Sequence, residues 1–101
     1  MSAPSDTEKR DAKAFELRDK GRSFAQVAKT LGYEKARDAN LAFNRALRRL
    51  PTEEQDAARA SEAARLDALV SRIEASETLT PEDVSRQMKI VDRLRSRLLA
   101  E

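Results

Sequence analysis

This chain of 101 residues contains no cysteine, no histidine and no tryptophan, and it has only two glycines, three prolines, three phenylalanines and one tyrosine. Each absence excludes something. Without cysteine there is neither a disulfide framework nor a thiolate metal site, and a reducing, cytoplasmic setting is the expected one. Without histidine and cysteine the usual general base, thiol nucleophile and zinc ligands are missing. The carboxylates and lysines that remain fall on helix faces among opposite charges. The stretch "GYEKARDA" lacks the repeated glycines and the Gly-Lys-Ser/Thr ending of a phosphate loop. No catalytic, cofactor-binding or metal-ligating residue is assigned, and the chain is not expected to be an enzyme. No apolar run approaches the ~20 residues of a membrane span, and the start "MSAPSDTEKRD" lacks the basic-then-apolar order of a signal peptide. A soluble protein without a membrane partner is expected.

What is present is charge and small apolar residues. Apolar residues make up 40% of the chain and charged ones 38%, so the available core is built mainly from Ala, Leu and Val. A chain of this length has room for one small domain, or a domain with an arm, and is expected to draw part of its stability from a second copy. The charge is uneven. Residues 1–51 carry 12 Lys/Arg against 7 Asp/Glu, whereas residues 52–101 carry 8 against 11. A basic first half joined to an acidic second half suggests an anionic partner for the former and self-association or a protein partner for the latter.

The pattern predicts an all-α fold of five helices, because Ser/Thr caps with an acidic or amide residue three positions on recur along the chain. Ser5 with Glu8 opens helix 1, which stops at Gly21. Ser23 with Gln26 opens a short helix 2, which ends at Gly32. Helix 3 is expected from about Glu34 to Leu50, where Pro51 stops it. Thr52 with Gln55 starts helix 4, which runs to about Ala75. Thr80, Pro81 and Asp83 start helix 5, with Leu79 and Val84 in the positions of a hydrophobic staple. The expected division is residues 1–51, a three-helix helix-turn-helix unit, and residues 52–101, an antiparallel helical hairpin.

In the hairpin, Leu66, Leu69, Val70 and Ile73 form one apolar stripe and Val84, Met88, Val91, Leu94 and Leu98 another. Leu66, Leu69, Ile73, Met88, Val91, Leu94 and Leu98 are the candidate oligomerisation residues. If Ile73 faces Val84, Glu62 faces Arg95, and these two are expected either to pair or to reach solvent independently.

Helix 3 presents two faces of different character. Ala36, Ala39, Phe43, Ala46, Leu47 and Leu50 form the expected core side. The other side carries Arg37, Leu41, Asn44, Arg45 and Arg48, with Lys35 and Arg49 at the ends. Arginine grips phosphate or guanine, asparagine can take adenine, and leucine can touch a thymine methyl group, so the set suits a DNA major groove. The arginines alone would equally suit a solvated face. The preceding element favours DNA. In "QVAKTLGY", Val27 and Leu31 face inward, Ala28 permits close approach and Gly32 turns the chain, as a helix-turn-helix requires. Ala39 takes the inward position where the commonest spacing would put Asp38, which implies one extra residue in the turn. Arg22 and Ser23, at the start of helix 2, are further candidate DNA contacts. Tyr33 is read as a packing residue with its hydroxyl at the surface, and the stripe Arg86, Lys89, Arg93 and Arg97 as either a DNA contact or a solvated face.

The segment "LRDKGRSFAQVAKTLGYEKARDANLAFNRALRR", with "EAARLDAL" and "MKIVDRLRSRLL" after it, resembles the small helix-turn-helix terminase-subunit-like proteins of phages and prophages of actinobacteria. The resemblance spans about Phe15 to Leu99. It implies that the N-terminal helices bind double-stranded DNA through Lys35, Arg37, Leu41, Asn44 and Arg45, that the later helices oligomerise, and that no catalytic residue is involved. Two alternatives stand beside it: a dimeric transcriptional or recombination regulator, and a helical adaptor that binds another protein without binding DNA.

Overall fold

The structure, a computed structural model, describes residues 3–100. Five helices and no strand occur among these residues: α1 (Asp6–Asp19), α2 (Phe24–Leu31), α3 (Ala36–Arg48), α4 (Thr52–Ala75) and α5 (Pro81–Leu99). None is long and apolar enough to cross a membrane. The chain divides into two compact units between Thr52 and Glu53.

Local chemistry explains most helix ends. The hydroxyls of Ser5, Ser23 and Thr80 each accept the backbone N–H three residues on, and the Ser23–Gln26 and Thr80–Asp83 capping boxes are both complete. At the end of α1, Gly21 adopts φ +96°, its N–H donates to the Arg18 carbonyl, and the N–H of Arg22 donates to the Leu17 carbonyl. That pair of bonds satisfies two carbonyls the helix would otherwise leave open, and it requires the left-handed conformation glycine tolerates best. Gly32, at φ +78°, ends α2 in the same way, with the Tyr33 N–H on the Ala28 carbonyl.

Helix α3 departs from expectation at both ends. It starts at Ala36 rather than Glu34, with Lys35 as a cap that makes no side-chain bond. It stops at Arg48 rather than Leu50, because the N–H groups of Arg49 and Leu50 bond only three residues back, to Ala46 and Leu47. Thr52 is itself the first residue of α4 rather than the cap before it.

In the first unit α3 packs on both α1 and α2. Phe43 is the centre, stacked on Phe15 at 5.2 Å between ring centroids and met edge-on by Phe24 at 5.6 Å. Ala14, Val27, Ala28, Ala39, Ala42 and Leu47 are buried around it. Such small side chains let the helices approach closely, so three rings suffice to fill the space. Ala39, not Asp38, is the buried residue after the turn, whereas Ala36, expected on the core side, is exposed.

In the second unit Leu66 and Ile73 of α4 and Val91 of α5 form one buried cluster, with Leu69, Val70, Leu79, Val84, Met88 and Leu94 packed against it. Arg59 donates its Nε–H to the Leu98 carbonyl at 3.2 Å. The expected facing of Glu62 and Arg95 does not produce a pair between them: Arg95 bonds Asp67 at 2.8 Å, while the buried Glu62 carboxylate is met by Arg65 at 3.4 Å. An arginine at the helix edge loses less hydration by meeting an exposed carboxylate than by following a buried one inward.

Candidate nucleic-acid interface

The outward side of α3 carries Lys35, Arg37 and Arg48 as exposed cations, with Leu41 half-buried among them. Arg22 and Ser23 are exposed at the entrance to α2. Ser23 is largely committed to its helix. Its oxygen accepts the Gln26 N–H at 3.1 Å and its own backbone N–H donates to Gln26 Oε1 at 3.0 Å, which leaves the hydroxyl proton for an outside acceptor. Beside it, Arg18 lies over the Phe24 ring at 4.1 Å and donates to the Arg22 carbonyl.

Two residues expected on this face are placed differently. Asn44 is only 2% exposed, its Nδ2 donates to the Asn40 carbonyl at 3.2 Å, and its Oδ1 is buried without a hydrogen-bond partner. It is part of the packed side of α3 and offers no edge to a base. The helical period had set it at the margin of the polar face, and burial of the neighbouring Asn40 shows the packed side to be wider than its apolar residues alone suggest. Arg45 is half-exposed but engaged: its Nε–H and Nη2–H both bond Asp11 of α1, each at 2.9 Å. Arg49 adds an Nη1–H bond to the same carboxylate at 2.9 Å.

Asp11 thus sits fully buried under two arginine side chains that are 41% and 43% exposed. Burial by itself raises a carboxyl pKa; the hydrogen bonds from Arg45 and Arg49 outweigh it and hold Asp11 below the usual carboxylate range. The same bond raises the pKa of Arg45. Counting Lys35, Arg37, Arg45, Arg48 and Arg49 against Glu34, Asp38 and Asp11, this surface carries a net charge of +2.

The residue before Asp11 reaches the turn. Arg10 donates Nε–H and Nη2–H to the Leu31 carbonyl, at 3.1 and 2.7 Å, and its guanidinium lies 3.9 Å from the centre of the Tyr33 ring. The cation meets carbonyls at a helix C-terminus, where the backbone dipole favours it. Tyr33 does pack, but its hydroxyl is buried rather than at the surface, with no hydrogen-bond partner, and burial raises its pKa.

Neither Arg10 nor Asp11 was singled out from the sequence. A signal existed for Asp11, which falls three and four residues before Ala14 and Phe15 and hence on the apolar side of α1. A carboxylate there demands a partner.

In the second unit, Leu66, Ile73, Val91 and Leu98 are buried within the single chain and have no surface to offer a second copy. They are core residues of the chain itself. Leu69, Met88 and Leu94 are partly buried, and the large apolar side chains most exposed are Ile90 at 46% and Leu99 at 72%. Among the described residues no group of three or more acidic, His or Cys side chains is placed to hold a metal ion. Comparison of the chain with protein-family models, with curated proteins and with solved structures finds no match.

Proposed function

We propose that the first unit is a helix-turn-helix that binds double-stranded DNA through the outer side of α3, and that the second is an antiparallel helical hairpin through which copies associate. The observation that carries the reading is the passage from α2 to α3: a left-handed Gly32 between a capped short helix and a longer helix whose outer side presents Lys35, Arg37 and Arg48. The contacts Arg59–Leu98 and Arg95–Asp67 support opposite directions for α4 and α5. A net charge of +2 on the α3 surface gives one unit little grip on a duplex, so association would supply affinity by placing several units on one DNA. In this reading the chain is not an enzyme and acts as a DNA-recognition component like a phage terminase small subunit. A dimeric regulator on spaced half-sites uses the same chemistry, and the mass of the assembly separates the two: a ring favours packaging, a dimer regulation.

An adaptor for another protein is the second reading, favoured by the exposure of Ile90 and Leu99 and by the loss of Asn44 from the polar face. Fluorescence anisotropy of a labelled duplex across a salt series separates it from the first. DNA binding that weakens steeply with salt and collapses in Lys35→Glu/Arg37→Glu supports the interface on α3. Indifference to both changes removes DNA and leaves the adaptor.

A further inference from the structure

Resting on the DNA-binding reading, we propose that Asp11 is a built-in brake on phosphate binding, which holds Arg45 and Arg49 so that α3 attracts DNA less strongly than its arginine count implies. A carboxylate and a phosphate offer arginine the same thing, two anionic oxygens at matching separation. Asp11 takes one whole edge of the Arg45 guanidinium, Nε and Nη2, and one Nη1–H of Arg49, all at 2.9 Å. It is fully buried, so water cannot replace an arginine that leaves; a departing Arg45 would leave a buried carboxylate with Oδ1 unpaired and Arg49 alone on Oδ2. The arginines therefore stay. Both nonetheless reach the surface, with 41% and 43% of their side chains exposed. Arg45 stands four residues after Leu41 and three before Arg48, on the flank of the outward side. Together the three residues present one net positive charge in place of two. Non-specific attraction scales with the number of phosphates neutralised, so a brake of this kind lowers binding to arbitrary sequence and leaves discrimination to the other contacts.

The full chain and its Asp11→Asn variant, which keeps the side-chain shape and removes the charge, are compared by anisotropy with a labelled mixed-sequence duplex over a salt series. The expected result is a Kd lower by about 3- to 10-fold near 0.1 M salt and a log–log salt slope steeper by about 1, the effect of one added phosphate contact. In an Arg45→Ala/Arg49→Ala background the same substitution should change Kd by less than about twofold, because the coupling partners are gone. An Asp11→Asn chain with intact helical circular dichroism that binds no more tightly overturns the brake while leaving the DNA reading in place. No binding by the wild-type chain at low salt overturns both. If Asp11→Asn does not fold, the Nε–H resonance of Arg45 in the wild-type chain decides. Its position unchanged on saturation with duplex supports the brake, and a shift as large as that of Arg37 overturns it.

Discussion

Arg45 of α3 gives both N–H groups of one guanidinium edge to the Asp11 carboxylate of α1, thirty-four residues away, in two bonds of 2.9 Å. The pair fixes the rotation of α3 about its axis relative to α1, while the adjacent Arg10 ties the turn that precedes α3. Two consecutive residues of α1 thus contact the turn before α3 and the C-terminal part of α3 itself.

The Asp11 cluster is expected to be asymmetric toward mutation. Asp11→Ala frees two arginines that are already half in water, and should cost only about 1–2 kcal/mol. Arg45→Ala/Arg49→Ala leaves a buried carboxylate short of its partners and should cost about 3 kcal/mol or more. Urea denaturation of the two variants against wild type gives both numbers, and equal costs would contradict the assignment.

Stability should respond to pH at the extremes. The pKa of Asp11 is lower in the folded chain than the ordinary unfolded value near ~4, so its contribution is full above about pH 4 and is lost as pH falls through the folded value. The difference in unfolding free energy between wild type and Asp11→Asn should therefore shrink below about pH 4. Tyr33 works at the other end: its raised pKa stabilises the fold below about pH 10, and that contribution disappears as pH rises through the folded value.

The turn before α3 can be weakened from either side. Gly32→Ala meets no steric obstacle, since an added Cβ would lie 3.7 Å from Arg10 Nη2, yet it forces φ +78° on an L side chain and should cost about 1–2 kcal/mol. Arg10→Ala removes two bonds to the Leu31 carbonyl and the stacking on Tyr33, and about 1 kcal/mol is expected because the site is exposed. Thermal or urea unfolding measures each, and Arg10→Lys should recover little because it lacks the fork.

In the second unit, core and surface should separate cleanly. Leu66→Ala is expected to cost about 2–5 kcal/mol, as for other fully buried leucines. Ile90→Glu/Leu99→Glu should change stability little and, under the association proposal, lower the mass measured by light scattering. An unchanged assembly in that variant would move the contact away from these side chains.

What the sequence by itself determined is what neighbours along the chain decide. The Ser23–Gln26 and Thr80–Asp83 boxes and the glycines at 21 and 32 act over three to five residues, so the helices they bound were legible, and the apolar stripes of α4 and α5 marked the core those helices share. Lys35 makes no such side-chain cap, and the start of α3 was accordingly misplaced by two residues. Only the tertiary structure decided which polar residues face inward. Asn44 lies at the margin of the polar face in any helical projection, and its burial depends on what packs there. The Asp11–Arg45–Arg49 cluster joins residues 34 and 38 positions apart, and the choice of Asp67 over Glu62 by Arg95 turns on which carboxylate is already dry. The physical reason is common to all three. Hydration is lost only when helices meet, and the cost of losing it depends on the partner found at that moment, which no local pattern encodes.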